Sequence, residues 1–388
     1  MKKCYCFFTA QYLPSIGGVE NYTYNLAKEL VNLGQSVIIV TSHEKDLPFY
    51  EVQDKIKIYR LPTKKLINDR LPILIPTLKT KKMLTRLVGE KIDQIIIQTR
   101  IYPLSLLGAS FSFRNKIPGL VIDHSSGYLS FGNSFYDIFA RIYEKVFTKV
   151  IKSYISDFYG VSGRASGWLK KFDIVAKGEL YNAISPLNIE EEIKKSKIDF
   201  RKEYNIPDGG KIICYVGRLV SGKGGLKTVK AFNLLNQNNE FDNSKTYLFI
   251  AGDGDEFQEI KRIKSKNVIL LGKIPHPDVL KLMMESDVFV FPSTYPEGLP
   301  TTLLESGYLG CTPVVTDAGG MKEVICQDSL GIVLEDAKIE TIKEGLIKAL
   351  KKKDYSNLTD DSLKNRILEN YTWKIIANKI LDIKGDQL

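Results

Sequence analysis

Cysteine, histidine and tryptophan are scarce in this chain: 388 residues include five cysteines, three histidines and two tryptophans. Cys4, Cys6, Cys214, Cys311 and Cys326 are odd in number. They are widely spaced except for the first two, which fall on alternate positions of one short apolar run. That pattern argues against a disulfide-stapled scaffold and for buried free thiols in a reducing compartment. His43, His124 and His276 stand at no metal-ligand spacing from a cysteine, so no metal site is expected. No run of 18 or more apolar residues occurs, which excludes a transmembrane helix. Met1-Lys2-Lys3 and the apolar run after it imitate a signal peptide, but the run is short and leads into a Gly-containing loop instead of a cleavage site. Internal repeats and low-complexity tracts are missing as well. The expectation is a cytoplasmic protein, with peripheral attachment at the inner face of the cell membrane left open.

Positive charge is plentiful and unevenly placed. Residues 1–185 carry 26 basic and 15 acidic side chains, a net +11, and residues 186–388 carry 29 and 30, a net −1. The whole excess of +10 lies in the first half, which should therefore meet something anionic: a membrane surface, a nucleic acid or an acidic substrate.

Short Val/Ile/Phe runs alternate with amphipathic stretches. Strands are predicted at Cys4–Thr9, Val37–Thr41, Ile56–Arg60, Ile95–Gln98, Leu120–Ile122 and Phe158–Val161. A second series covers Ile212–Val216, Thr246–Ile250, Val268–Leu271, Val288–Phe291 and Thr312–Val315. Helices are predicted between them, among them Val19–Leu33, Thr77–Lys91, Leu226–Asn236, Pro277–Glu285, Thr301–Tyr308 and Ser362–Asn370. Such alternation builds parallel sheets covered on both faces. The fold class is α/β, with two Rossmann-like, doubly wound domains: 1–185, 186–370, and a final helix over 371–388 returning toward the first domain. The polar segment Ser185–Lys202 reads as the linker. In open α/β sheets ligands bind beyond the carboxyl ends of strands, so the loops that follow strands are where chemistry is sought.

In the second half, Gly217-Arg218-Leu219-Val220-Ser221-Gly222-Lys223-Gly224 nearly matches a nucleotide-triphosphatase P-loop. Gly224, however, replaces the hydroxyl that would hold Mg²⁺. What remains is a glycine loop carrying one Arg and one Lys, able to place two cations on a diphosphate, or simply two solvated surface charges. Gly252-Asp253-Gly254-Asp255-Glu256 suits a dinucleotide loop or a plain strand-to-helix turn. The loop from Pro292 through Tyr295-Pro296-Glu297-Gly298-Leu299 to Pro300 precedes a helix whose first amides, near Thr301 and Thr302, can receive phosphate. Glu297 before that helix and Glu305 within it could grip sugar hydroxyls on either side of a diphosphate. Gly319-Gly320-Met321-Lys322-Glu323 follows the last predicted strand.

This ordered set resembles the retaining, nucleotide-sugar-dependent glycosyltransferases of family 4, the group 1 glycosyltransferases with the GT-B fold. It comprises G-R at 217–218 with K-G at 223–224, G-x-G-x-E at 252–256, E-x₇-E at 297 and 305, and G-G-x-x-E at 319–323. The resemblance implies two such domains facing a cleft. It implies that Arg218 and Lys223 bind the donor diphosphate, together with the glycine loop at Gly217 and the segment Gly298, Leu299, Thr301 and Thr302. It implies that Glu297 holds the donor sugar and Glu305 the ribose, and that the backbone around Lys273 and Ile274 meets the base. In the first half, Pro14-Ser15-Ile16-Gly17-Gly18-Val19-Glu20 holds the family's G-G-x-E element. Gly17 and Gly18 are thereby placed near the donor phosphates and acceptor. His124 stands at the family's His position, as a positioning group at the reacting sugar. Asn182-Ala183-Ile184 departs from the family's usual Asn-Gly.

Two readings of the segment Ser134–Ser156 stay open. Arg141, Lys145, Lys149 and Lys152 form one helical stripe. Phe135, Ile138, Phe139, Ile142, Val146, Phe147, Val150 and Ile151 make a broad apolar surface. Either the apolar side is core and the basic side solvated, or the helix docks on anionic lipid. Lys64, Lys65, Lys79, Lys81, Lys82, Arg86 and Lys91 add charge around the apolar stretch Leu71–Leu78.

The activity so implied is transfer of a sugar, with retained configuration, from a nucleoside-diphosphate sugar to an acceptor hydroxyl. UDP is the favoured nucleotide, and a lipid-linked saccharide of surface polysaccharide or glycolipid assembly is the favoured acceptor. A diacyl lipid and a soluble sugar are the alternatives. No cofactor beyond the nucleotide-sugar co-substrate is expected, because two fixed cations can stabilise the leaving diphosphate without a metal. A basic nucleic-acid-binding protein would explain the +11 but not the second-half loops. A P-loop hydrolase is disfavoured by Gly224, and a non-catalytic nucleotide-sugar binder shares every feature named.

Overall fold

The computed structural model describes residues 2–15, 17–66, 71–129, 134–235, 245–295, 297–355 and 361–383, without the side chains of 65–66, 134–135 and 352–355. Ile16, Asn236 and Pro296, and the side chains of Lys65 and Phe135, lie outside what is described. The chain divides into two compact units, Met1–Asn182 with Trp373–Leu388, and Ala183–Thr372. The sequence reading drew these divisions after 185 and after 370.

Unit 1 runs β1 (Cys4–Phe8), α1 (Gly18–Asn32), β2 (Ser36–Ser42), β3 (Tyr50–Gln53), β4 (Ile56–Leu61), β5 (Thr63–Leu66), β6 (Leu71–Leu74), α2 (Leu78–Val88), β7 (Gln94–Gln98), α3 (Pro103–Asn115), β8 (Gly119–Asp123), α4 (Ser134–Lys152), β9 (Asp157–Gly160) and α5 (Gly163–Leu169). Its described residues form a seven-stranded sheet, order β3-β4-β2-β1-β7-β8-β9, and a separate β5-β6 hairpin. Every pair in the large sheet is parallel except β3 with β4. The central strands are buried on both faces, as Phe7, Phe8, Ile39, Val40, Ile96 and Ile97 show. That is why they read as continuous apolar runs without alternation.

Unit 2 runs α6 (Pro186–Ile193), α7 (Phe200–Glu203), β10 (Lys211–Val216), α8 (Gly225–Leu235), β11 (Thr246–Ala251), α9 (Phe257–Ile263), β12 (Val268–Gly272), α10 (His276–Glu285), β13 (Val288–Phe291), α11 (Thr301–Tyr308), β14 (Thr312–Thr316), α12 (Met321–Val324), β15 (Ile332–Leu334), α13 (Ile339–Tyr355) and α14 (Ser362–Asn370). Its described strands form one parallel sheet, order β12-β11-β10-β13-β14-β15. The last helix, α15 (Trp373–Asp382), belongs to unit 1 and packs on α1.

The expected linker Ser185–Lys202 is corrected by the structure, because most of it is α6 and α7 of unit 2. Ser185 caps α6, Pro186 occupies its first turn, and Ile189 and Phe200 are buried. A surface helix with one buried residue per turn is mostly polar, and so it imitates a linker in composition. No described helix is long and apolar enough to cross a membrane.

In each sheet the chain starts mid-sheet, winds toward one edge, then returns to the starting strand and winds toward the other. The order reverses between β1 and β7 in unit 1 and between β10 and β13 in unit 2. The loops after β1, β10 and β13 hold Gly17, Gly217, Arg218, Lys223, Glu297, Gly298 and Leu299 of the residues singled out from the sequence.

Candidate active site

In unit 2 the loops after β10 and β13 are bonded to one another. The Gly222 carbonyl accepts from Thr294 N at 2.7 Å and Tyr295 N at 3.1 Å, and the Ser293 and Thr294 hydroxyls point at it from 3.3 Å. From below, the buried Tyr215 hydroxyl donates to the Arg218 and Lys223 carbonyls, both at 3.2 Å, and so spans the basic loop. Burial pushes this phenol's pKa up, which keeps it a neutral donor. Gly224 has φ of +90°, and a Cβ there would lie 2.7 Å from the Pro292 carbonyl oxygen. Serine or threonine does not fit, which is the structural reason this loop is no P-loop.

Lys223 Nζ donates to Glu297 Oε1 in an ion pair whose side chains are each 12% exposed. Ser293 Oγ donates to the same oxygen at 3.0 Å. The ammonium also lies 5.6 Å from the Phe291 ring centre and 5.1 Å from that of Tyr295. Arg218 is exposed and has no ion-pair partner among the described residues. Gly298 accepts from Gly320 N at 2.6 Å, which ties the loop before α11 to the glycine pair after β14. Leu299 is buried, and Thr301 and Thr302 open α11 half-exposed. One turn on, the buried Glu305 meets His276 Nε2 at 3.1 Å, and that hydrogen bond raises the His276 pKa above its ordinary value. Lys273 and Ile274 sit just before α10, between the end of β12 and His276.

The G-x-G-x-E segment at 252–256 is scaffolding for the basic loop. Leu219 N donates to the Asp253 carbonyl at 2.9 Å, and Glu256 N to the Leu219 carbonyl at 2.8 Å. Gly252 has φ of +150°, and a Cβ there would fall 1.9 Å from the Gly217 carbonyl oxygen. Glu256 Oε2 faces Leu226 N at the start of α8, 3.4 Å away. A cavity of about 720 Å³ adjoins the same loop, lined in part by Gly222, Gly224, Thr294, Lys230 and Lys338. Arg218, Lys223, Glu297 and Glu305 do not line it, and Lys230 and Lys338 are already paired, with Glu259 and Asp336. In open α/β sheets ligands bind beyond the strand ends where the order reverses, here between β10 and β13.

In unit 1, Gly17 is the extended residue before α1, and the Glu20 carboxylate folds back over it, occupying the space of a Cβ. Tyr22, one turn into α1, stacks edge-on with His124 at 4.8 Å and with Trp373 at 5.0 Å. His124 Nε2 lies 2.7 Å from Gln98 Oε1, so Nε2 carries the ring proton and Nδ1 is left as acceptor. Burial pulls the His124 pKa down to about 4, against a smaller opposing pull from Asp123. Beneath it, Arg100 binds Asp123 and, through Nη2 at 3.0 Å, Glu144 of α4; all three side chains are at most 1% exposed. Asp123 Oδ1 accepts from Ser125 N at 2.8 Å, and Glu144 Oε1 from Leu129 N at 2.6 Å. The loop that begins at His124 is thus held at two points by one buried cation and two carboxylates.

Two family models match the chain in succession, Glycosyltransferase Family 4 over residues 16–158 and glycosyl transferases group 1 over residues 196–366. The chain belongs to the group 1 glycosyltransferases. This glycosyltransferase is 24% identical over 382 residues to an uncharacterized glycosyltransferase of Methanocaldococcus jannaschii, an alignment covering 95% of this chain and 94% of the other. It is 22% identical over 384 residues to the phosphatidylinositol N-acetylglucosaminyltransferase GPI3 subunit of Saccharomyces cerevisiae, covering 96% and 80%. Among solved structures, Anabaena HepE in complex with UDP superposes with a TM-score of 0.72 at 17% identity, covering 98% of this chain and 99% of that one. The likeness shows the fold, which is GT-B.

The structure joins Lys223 to Glu297 and the Gly222 loop to the Pro292 loop, and it sets Glu305 against a histidine. Among the described residues, no hydrogen bond or ion pair ties the Arg218 side chain to any of these. Three features beside the expected residues, one in unit 1 and two in unit 2 of this glycosyltransferase, were not read from the sequence. Tyr215 looks like any strand residue. Arg100 and Glu144 lie far apart along the chain. His276 did carry a signal, two residues past Ile274 and at the start of a helix.

Proposed function

We propose that this glycosyltransferase moves a sugar from a nucleoside diphosphate, with UDP favoured, to an acceptor hydroxyl with retained configuration. Arg218, Lys223, the Gly217 loop and the backbone amides over Gly298, Leu299, Thr301 and Thr302 take the diphosphate. Glu297 takes the sugar, Glu305 the ribose, and the backbone at Lys273 and Ile274 the base. Gly17, Gly18 and His124 serve the reacting sugar and the acceptor. The observation that carries this reading is the bonded pair of loops after β10 and β13, which places Lys223 and Glu297 at the point where strand order reverses. The bond from the anomeric carbon to the diphosphate oxygen breaks as the acceptor oxygen bonds the same face, and the acceptor proton passes to a donor phosphate oxygen. Charge gathering on the diphosphate is met by Arg218, Lys223 and the α11 amides, so the reaction proceeds without a divalent metal.

The favoured acceptor is a lipid-linked saccharide, reached at an anionic membrane by the basic first half. The yeast relative's name favours a second reading, a phosphatidylinositol-type diacyl lipid. The HepE complex supports UDP. Arg218→Ala tests the assignment: because the side chain is exposed, folding should be unchanged while kcat with the UDP-sugar falls by roughly 10²–10³. Near-normal turnover would overturn it. Turnover abolished by a chelator would overturn the metal-free route.

A further inference from the structure

We propose that α4 is a membrane-docking helix that lies in the surface of an anionic bilayer with its outer face inserted. This deepens the acceptor reading above and rests on it for the membrane's identity as the place where the acceptor is found.

The helix has three distinct sides. Ala140, Glu144, Thr148 and Ile151 are buried. At 100° per residue they cluster on one side. On the opposite side, Ile138, Phe139, Ile142 and Val146 are each more than half exposed, and Val150 continues the row. From 138 to 150 this apolar stripe runs about 18 Å at 1.5 Å per residue. The core therefore does not use it, and of the two readings open from the sequence the buried one fails for these residues. Large apolar side chains ranked along one exposed helix face mark an interaction surface.

Along one edge of the stripe run Arg141, Lys145 and Lys149, all exposed. Lys152, grouped with them by spacing, is not part of that row: its ammonium donates to the Phe172 and Asp173 carbonyls at 2.8 and 2.9 Å. An apolar stripe bordered by cations matches the boundary between acyl chains and anionic headgroups. A second patch of the same chemistry lies on unit 1. Ile73, Ile75 and Leu78 are exposed beside Lys79, Lys81 and Lys82. Its strand β6 and helix α4 both pack on α3. The net +11 of the first half adds a long-range attraction to the same surface. Charge complementarity thus selects anionic lipid over a protein partner or a second copy.

Flotation at physiological salt tests this with the full chain, using phosphatidylcholine vesicles with and without about one-third phosphatidylglycerol. The wild type should float with the anionic vesicles only. Ile142→Asp with Val146→Asp should abolish flotation. Lys145→Gln with Lys149→Gln should weaken it about 30-fold, since each cation near the surface is worth about fivefold. UDP-induced thermal stabilisation should be unchanged in both variants, showing that they fold and that the donor site is separate. Failure of the wild type to float, or equal flotation of the Asp variant, would overturn the proposal without touching the donor assignment. A dimer of the wild type that the Asp variant dissolves would overturn it in favour of a second copy on the stripe. Loss of UDP binding in the wild type would instead count against the function proposed above.

Discussion

Glu297→Gln, Lys223→Met and the double variant isolate the ion pair at the proposed donor site. Both side chains are 12% exposed, so removing one leaves a largely desolvated partner. Breaking a fully buried pair costs about 3–5 kcal/mol. Here two aromatic rings remain around Lys223 and the Ser293 hydroxyl remains at position 297, and each charge keeps some water, so we expect about 2 kcal/mol for Glu297→Gln. Lys223→Met should cost about as much, and the double variant little more than either, giving a coupling energy of about 2 kcal/mol. UDP should separate the two singles. If Lys223 takes the diphosphate as proposed, UDP must compete with Glu297 for it in the wild type. In Glu297→Gln the ammonium is released, so UDP should bind more tightly, by up to about 30-fold if the whole coupling is recovered. Lys223→Met should bind UDP more weakly than wild type. Urea denaturation and UDP titration by thermal shift read both quantities. A coupling below about 0.5 kcal/mol, or UDP binding to Glu297→Gln no tighter than wild type, would refute the reasoning.

Gly252→Ala places a methyl against the Gly217 carbonyl at an unfavourable φ; it should cost about 3 kcal/mol or more and weaken UDP binding through the displaced basic loop. A loss under about 1 kcal/mol in urea melts would contradict that. The folded-state pKa of His124 is lowered from 6.5 to about 4, so the unfolded chain takes up the extra proton first, and stability is lost as pH falls from about 6.5 toward 4. His124→Gln should remove up to about 3 kcal/mol of that loss; identical pH dependence of the two proteins would exclude it. The pKa of His276 is raised by Glu305, so its contribution is complete below the unfolded value and disappears as pH rises through the folded one. Melting temperatures between about pH 6 and pH 9 should therefore decline less in His276→Gln than in wild type.

The architecture was legible because buried parallel strands have an unmistakable composition. Val288–Phe291 was read with its observed limits. What escaped were short elements with little of that signal. The β3 strand shows intermediate and exposed residues throughout, and α6 hides its single buried Ile189 among glutamates. The order of motifs along the chain pointed to the loops at 217–224 and 297–305, because there the neighbours in space are also motif partners. The Arg100–Asp123–Glu144 network was invisible. Its members come from the ends of β7 and β8 and from α4, and only the sheet order brings them together. Likewise, periodicity shows that one side of α4 is apolar but cannot say which side meets the core. The answer is that polar Glu144 faces inward, where Arg100 neutralises it, and Ile142 faces out.

The path of the backbone also sets an order of assembly. Unit 2 is one uninterrupted stretch of chain, whereas unit 1 needs residues from both sides of it. During synthesis the first 182 residues emerge without the helix that covers α1 and meets Tyr22 through Trp373. Until α15 is made, α1 lacks that packing and Tyr22 lacks its contact with Trp373. The intervening unit can close its own sheet before that cover arrives. Unit 1, most of which is translated before unit 2, is thus completed only after it.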